Sequence, residues 1–105
     1  MFHSTHVFTR ETIYRRPAQS YTEFTDELNR LQTLQQTFAQ SSITERTALL
    51  QQFADSLTQN QERLAEMVCE EVGRCLHECR AEISKSIELI RYYVRLAPEL
   101  LAHKT

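Results

Sequence analysis

The clearest pattern in the sequence is the return of apolar residues every three or four positions, which is the period of one face of an α-helix. The first such run follows Ser20, and its apolar positions are Phe24, Leu28, Leu31, Leu34 and Phe38. Ser20 and Glu23 have the spacing of a capping box, in which a serine and a glutamate three residues later each bond the other's backbone N–H. The polar segment Gln40-Ser41-Ser42 interrupts the run. We therefore predict a first helix that begins after Ser20 and ends before this segment.

Two further amphipathic runs precede the single glycine of the chain. Ser42 and Glu45 again have the spacing that marks a helix start, and the apolar face of this second helix would be Leu49, Leu50, Phe53, Ala54 and Leu57. Asn60 is a suitable N-cap for a third helix, whose apolar positions are Leu64, Met67, Val68 and Val72. Gly73 should end the third helix, because glycine readily takes the left-handed conformation that closes a helix.

The longest run predicts a fourth helix from about Leu76 to about Leu96. Its apolar positions are Leu76, Cys79, Ile83, Ile87, Ile90 and Val94. Two pairs of opposite charge three residues apart, Glu82 with Lys85 and Glu88 with Arg91, should support this helix weakly. Pro98 lacks the N–H that a helix interior needs, so we predict a kink or a short restart through Leu100 and Leu101.

The N-terminal residues have a different pattern. Val7-Phe8 and Thr12-Ile13-Tyr14 are candidates for short strands, and Arg16-Pro17 should end any regular element. We expect residues 1–20 to be an arm that is irregular or a short β-hairpin, and residues 21–105 to be one helical segment. The predicted fold class is therefore mostly α, with four amphipathic helices after a short N-terminal arm.

Composition agrees with a helical chain and excludes several functions. One glycine and two prolines among 105 residues leave few helix breakers, and one glycine cannot build a glycine-rich phosphate loop. The net charge of −2 gives no basic stripe for nucleic acid, and we interpret Arg10, Arg15 and Arg16 as a solvated arm. No apolar run approaches the roughly 20 residues that span a bilayer. We therefore expect a cytoplasmic protein that binds neither nucleic acid nor a membrane.

Candidate chemistry is sparse. Cys75 and Cys79 would share a helix face, but with Cys69 they do not match the paired spacing of a structural zinc site, so buried or half-buried free thiols are the better interpretation. His3 and His6 have no evident carboxylate partner. Of Tyr92 and Tyr93, one ring should lie in the core and the other at its edge. We assign no catalytic, cofactor-binding or metal-binding residue.

A more specific signal comes from the order of short motifs over residues 42–101, which resembles the N-terminal helical part of the aldehyde dehydrogenase superfamily. Glu45-Arg46 with Leu50 resembles the family's Glu-Arg helix start, and Phe38 occupies the place of the tryptophan that usually precedes it. The motifs that follow at the family's spacing are Phe53-Ala54-Asp55-Ser56-Leu57, Glu62-Arg63-Leu64-Ala65, Glu71-Val72-Gly73-Arg74, Glu78-Cys79-Arg80-Ala81-Glu82-Ile83 and Ile90-Arg91-Tyr92-Tyr93. The region from Arg91 to Leu101 is most similar to the semialdehyde-type members. The family's Asn-Pro-x-Thr-Gly-Glu signature is absent from the first twenty residues, where Thr9-Arg10-Glu11-Thr12 is at best a remnant.

The resemblance implies an α/β enzyme that oxidises aldehydes to acids with NAD or NADP, using a cysteine nucleophile and a glutamate that activates water. It places those groups and the cofactor loop outside the region that these 105 residues cover, so no catalytic or cofactor residue carries over. In the family these helices pack against the cofactor-binding domain. We therefore expect the partner to be the remainder of an aldehyde dehydrogenase, or a second copy through exposed apolar helix faces.

Three functions are open at this point. The first is the N-terminal part of an NAD(P)-dependent aldehyde dehydrogenase, not active as this 105-residue chain. The second is a free-standing helical interaction or regulatory module. The third, for which the motifs give the least support, is a metal- or redox-sensing protein that uses Cys69, Cys75 and Cys79.

Overall fold

The computed structural model describes residues 1–102 and contains a β-hairpin followed by four helices. The elements are β1 (Phe2–Thr5), β2 (Thr12–Arg16), α1 (Tyr21–Phe38), α2 (Ile43–Gln59), α3 (Gln61–Val72) and α4 (Leu76–Leu100). This architecture confirms the predicted fold class.

Both predicted capping boxes are formed. The Ser20 hydroxyl accepts from the Glu23 N–H at 3.1 Å, and the Glu23 carboxylate accepts from the Ser20 N–H at 3.3 Å. Ser42 and Glu45 repeat this arrangement at the start of α2, at 3.1 and 3.2 Å. Because both bonds join residues three apart, the sequence spacing was sufficient to find these two helix starts.

The remaining helix ends follow the prediction in part. Gly73 ends α3 in the left-handed conformation, with φ of 81°. Asn60 occupies the N-cap position of α3, but its side chain makes no cap bond and instead donates to the Ser56 carbonyl at 2.8 Å. The predicted end of the fourth helix near Leu96 is wrong, because α4 continues through Pro98 to Leu100 as one element. Pro98 removes a single N–H donor from the helix. The helical hydrogen bonds continue beyond it, since the Leu101 N–H donates to the Ala97 carbonyl at 2.8 Å.

The N-terminal hairpin uses a different first strand from the one predicted. Phe2 pairs with Arg16 and Thr5 pairs with Thr12, in an antiparallel register with an irregularity after Ser4. Val7-Phe8 lies in the connecting loop, where His6 Nδ1 accepts from the N–H groups of Phe8 and Thr9, both at 3.2 Å. This side-chain acceptor holds the loop as a turn and keeps residues 7 and 8 out of the ladder.

The helices pack on α4. α3 lies beside the first part of α4, where Glu62 meets Arg80, and α2 lies beside the later part, where Asp55 meets Arg91. The buried residues among those described are Ala54, Ala65, Cys79 and Ile87. Two of these four are alanines, whose small side chains allow the helix backbones to approach closely. The core is therefore a thin seam along α4.

The molecule is much more open than a folded chain of its length. Its radius of gyration is 18.4 Å, whereas a compact domain of about 100 residues has about 13 Å. Its accessible surface is 8727 Å², roughly 2600 Å² more than is usual for a monomer of this mass. Within the described residues α1 makes no more than marginal contact with any other element. The openness is therefore largely that of an unpacked helix.

Candidate functional site

The largest uncovered feature is the apolar face of α1, which we call the α1 stripe. It consists of Phe24, Leu28, Leu31, Leu34 and Phe38, which are between 45% and 55% exposed. The spacing that predicted one helical face is therefore correct, but that face packs on no element of residues 1–102. Exposed aligned apolar side chains of this number mark a surface that a partner covers.

A second uncovered surface lies on α2. Leu49, Leu50 and Phe53, here called the α2 patch, are each about half exposed, whereas the neighbouring Ala54 is fully buried. The side of α2 that faces α4 is centred near Ala54, with Ile43, Thr47 and Gln51 half-buried around it. At 100° per residue this side is rotated roughly a quarter turn from the predicted apolar face. The predicted face is therefore divided, and its most apolar part points away from α4.

The long helix α4 has both a covered and an uncovered side. Its predicted apolar face, from Leu76 to Val94, is buried or half-buried throughout, which confirms that prediction. The opposite side exposes Leu89, Tyr92, Tyr93 and Leu100, with Leu101 just beyond the helix end. The rings of Tyr92 and Tyr93 meet edge to face at 5.2 Å between centroids. The prediction that one of these rings would enter the core is wrong, because both are about half exposed.

The Glu-Arg motif has a clear structural role at the junction of α1 and α2. Glu45 completes the capping box of α2, and the Arg46 guanidinium donates to the Phe38 carbonyl at 3.3 Å and the Ala39 carbonyl at 3.0 Å. It also donates to Ser41 Oγ at 3.1 Å and lies over the Phe38 ring, 5.2 Å from its centroid. Arg46 thus donates to two carbonyls at the end of α1, of which that of Phe38 also accepts from Ser41, and the motif fixes a helix junction.

The glycine turn after α3 is also a structural feature. The Val7 N–H donates to the Glu70 carbonyl at 2.9 Å, which brings the hairpin loop onto the end of α3. A Cβ added to Gly73 would lie 3.0 Å from Val7 Cγ1. Glycine is therefore required here both by its positive φ and by the closeness of Val7. Arg74, which follows, pairs with Glu82.

Two of the charged pairs among the described residues join different helices. The Arg80 guanidinium donates to both carboxylate oxygens of Glu62, with the shortest distance 2.6 Å. This hydrogen bonding lowers the pKa of the Glu62 carboxyl. The Arg91 guanidinium reaches Asp55 at 3.4 Å. The predicted pairs Glu82 with Lys85 and Glu88 with Arg91 are wrong, because Glu82 pairs with Arg74 and Arg91 with Asp55.

The three cysteines are not assembled into a site. Cys79 is buried, Cys69 is half-buried and Cys75 is exposed at the N-cap of α4, so the prediction of a buried or half-buried thiol is wrong for Cys75. Burial raises the pKa of the Cys79 thiol, whose Sγ lies 3.8 Å from the Arg74 carbonyl. Across residues 1–102 no group of three or more His, Cys, Asp or Glu residues is placed to hold a metal ion.

The sequence also contains His77 and His103, and the described histidines have separate surroundings. His6 holds the hairpin loop. His77 lines an open groove of about 450 Å³ between α4 and the junction of α2 with α3, together with Arg80 and Ser84. His103, the remaining histidine outside the arm, lies outside the described residues. In this groove Arg80 pairs with Glu62, and the Gln61 side chain donates to the Ser84 hydroxyl at 2.8 Å.

The residues present do not fit a dinucleotide cofactor. A pyrophosphate cradle needs glycines that let the backbone approach the phosphates. The chain has one glycine, and the space beside its Cα is occupied by Val7. We therefore derive no step through a cofactor from these residues. The surface that the structure offers is apolar and suited to packing.

Similar proteins agree with the motifs. A sequence model of the aldehyde dehydrogenase family matches residues 1–105. The succinate-semialdehyde dehydrogenase (NADP(+)) of Deinococcus radiodurans is 25% identical over 104 residues, which are 99% of this chain. The chain spans 22% of the length of this curated relative. The family match includes residues 1–20, for which the motifs gave no support. No helix within residues 1–102 is long and apolar enough to cross a membrane.

Proposed function

Because the chain belongs to the aldehyde dehydrogenase family, we propose that it is the N-terminal helical segment of an NAD(P)-dependent enzyme that oxidises an aldehyde or semialdehyde to the acid. The observation that carries this proposal is that the family model matches the whole chain, while the chain covers 22% of the length of the relative. As these 105 residues alone, the chain is expected to turn over no aldehyde.

The uncovered surfaces support this proposal. The accessible surface of the chain is roughly 2600 Å² more than is usual for a monomer of its mass, and the α1 stripe, the α2 patch and the outer side of α4 expose large apolar side chains. The remainder of an enzyme would cover such faces. The motifs that carry the family resemblance act in helix caps and junctions, which suits a segment that supports a fold rather than performs chemistry.

Several finer parts belong to the same proposal. NAD or NADP would bind to residues beyond this segment, since its one glycine is committed to a turn. Residues 1–20 would act as an arm and residues 21–105 as the helical segment. Three free cysteines among the described residues favour the cytoplasm, where thiols stay reduced.

The length of the native polypeptide tests the central part of the proposal. An antibody raised against this chain should detect, in an immunoblot of the source cells, a polypeptide roughly four to five times as long, as the 22% coverage of the relative implies. A 12.4 kDa band alone would overturn the proposal and favour a free-standing helical interaction or regulatory module.

The substrate class has its own test. The name of the relative favours a semialdehyde that carries a carboxylate, and NADP as the oxidant. The full enzyme should therefore show a higher kcat/KM for succinate semialdehyde than for butanal, an aldehyde of equal chain length without the carboxylate. Equal values would contradict a semialdehyde substrate without affecting the proposal that the chain is part of an aldehyde dehydrogenase.

A further inference from the structure

We propose that protonation of His6 releases the N-terminal hairpin from the end of α3, so that the attachment of the hairpin to the helices depends on pH. The part of the hairpin concerned is the hairpin loop, which runs from His6 to Glu11 between β1 and β2. The inference concerns the hairpin alone and does not rest on the proposed function.

His6 organises the hairpin loop through both its side chain and its backbone. Its Nδ1 accepts from the N–H groups of Phe8 and Thr9, both at 3.2 Å. Its own N–H donates to the Glu11 carbonyl at 2.8 Å, and its carbonyl accepts from the Arg10 N–H at 3.0 Å. Arg10 lies at φ of 68°, a left-handed conformation that costs a residue other than glycine free energy and persists where its surroundings hold it. The bonds of His6 therefore hold a strained loop in place.

The same loop carries a hydrogen bond that joins the hairpin to the helices. The Val7 N–H donates to the Glu70 carbonyl at 2.9 Å, and the Val7 side chain lies against Gly73. Within the described part of the chain, neither β1 nor β2 makes more than marginal contact with any helix. Because Val7 lies between His6 and Phe8, the position of its N–H depends on the path that His6 gives to the loop.

Protonation removes the acceptor on which this path depends. A neutral imidazole accepts at one nitrogen, whereas an imidazolium has a hydrogen on both nitrogens and accepts at neither. A proton taken from solvent by Nδ1 would therefore point at the N–H groups of Phe8 and Thr9, and both bonds would be lost. Imidazole is the side chain that ordinarily changes its charge between about pH 5 and 8. The docked loop therefore belongs to neutral pH and the released loop to mild acid.

Other titratable groups lie near the hairpin loop, and they define the control. The loop and the end of α3 carry the titratable or charged residues Arg10, Glu11, Cys69, Glu70, Glu71 and Arg74, and the strands carry His3, Tyr14, Arg15 and Arg16. The ion pairs recorded for residues 1–102 do not include His6, so none of these carboxylates is paired with it. Of these residues, His3 is the one whose side-chain class ordinarily titrates in the same pH range.

Amide hydrogen exchange of the chain, recorded by NMR at about pH 7.5 and about pH 5 and corrected for the intrinsic exchange rates, tests the proposal. The protection factors of Val7, Phe8 and Thr9 should fall about tenfold in acid, as the loss of two ordinary hydrogen bonds implies. Long-range proton–nitrogen spectra at the higher pH should show the hydrogen of the His6 ring on Nε2. Protection factors that are equal at both pH values, or a ring hydrogen on Nδ1 at the higher pH, would overturn the proposal.

His6→Asn separates the hydrogen bonds of this side chain from its charge. The oxygen of an asparagine accepts from backbone N–H groups in turns but does not titrate, so the protection of Phe8 and Thr9 should be the same at both pH values. His3→Gln is the matched control, since it removes the other histidine of the hairpin and should leave the acid response in place. A response that persists in His6→Asn, or one that disappears in His3→Gln, would assign it to another group and contradict the role of His6.

Discussion

Helices α1 and α4 have apolar stripes of the same regularity but differ completely in what covers them. Every position from Leu76 to Val94 on the stripe of α4 is buried or half-buried, because α2 and α3 pack along it. Every position from Phe24 to Phe38 on the stripe of α1 is exposed. Periodicity therefore shows that a helix has a face to bury, but it does not show whether the same chain supplies the partner.

The difference should be measurable as stability. Unfolding of α4 would expose Cys79 and Ile87 together with the small seam around them. Unfolding of α1 in a dilute monomer would expose little that is not exposed already. We therefore expect α2, α3 and α4 to unfold together and α1 to contribute little to that transition.

The largest expected effect comes from truncating the seam. Ile87→Ala should lower the free energy of unfolding by about 2–4 kcal/mol, because it removes a side chain that is buried between helices. Leu34→Ala on the α1 stripe, measured by urea denaturation at the same low concentration, should change it by less than about 0.5 kcal/mol. Equal losses in the two variants would show that α1 belongs to the cooperative unit.

The glycine turn gives the next effect. Gly73→Ala should cost about 1–3 kcal/mol, because alanine is strained at φ of 81° and its Cβ would approach Val7 Cγ1 at 3.0 Å. Combining it with Val7→Ala should recover the part of the loss that is due to the close approach. If Gly73→Ala alone is as stable as the original chain, the docking of the hairpin loop on α3 is not as described.

The junction should act locally. Arg46→Ala removes donors from the Phe38 and Ala39 carbonyls, a loss of about 1 kcal/mol for a partly exposed charged donor. The amides of Ala39, Gln40 and Ser41, which close the end of α1, should then exchange several-fold faster with solvent. Arg46→Lys keeps the charge but lacks the planar guanidinium group. Its exchange rates should therefore fall between those of the original chain and those of Arg46→Ala. Unchanged exchange in the alanine variant would remove Arg46 from this role.

The smallest effect is a dependence on pH. The hydrogen bonds from Arg80 lower the pKa of Glu62 in the folded chain, so this pair stabilises the fold above the pKa of an unfolded glutamate. That contribution is lost as the pH falls below about 4.3 and through the lower folded pKa. On acidification, the Glu62→Gln variant should therefore lose less free energy of unfolding than the original chain loses. Glu27→Gln is the matched control, since Arg30 lowers the pKa of Glu27 within α1 alone; an equal change in both variants would contradict the separation of α1 from the packed unit.

The features that the sequence predicted correctly are those set by neighbouring residues. Ser20 with Glu23 and Ser42 with Glu45 mark helix starts because both partners of each bond lie within one turn. Gly73 marks a helix end for the same local reason. The Glu45-Arg46 motif likewise acts on residues within one helical junction.

The errors concern partners that are distant in sequence. Val7 was expected in a strand, but its N–H bonds Glu70, which no local pattern indicates. Glu82 and Arg91 were expected to pair within α4, but Arg74 and Asp55 take them instead. The apolar positions of α2 were expected to form one face, but this face is divided, because Ala54 is buried whereas Leu49 and Phe53 are about half exposed. Each outcome depends on tertiary packing that periodicity does not encode.

Amide hydrogen exchange along the whole chain, recorded at a low and a high protein concentration, tests the central claim most directly. We predict that amides near Ala65, Cys79 and Ile87 exchange slowly at both concentrations, because they line the packed seam. Amides of α1 should exchange fast in the dilute chain, because no element of residues 1–102 covers the α1 stripe. Protection of α1 equal to that of α4 at the lowest concentration would contradict the account, since α1 would then be stable without a partner.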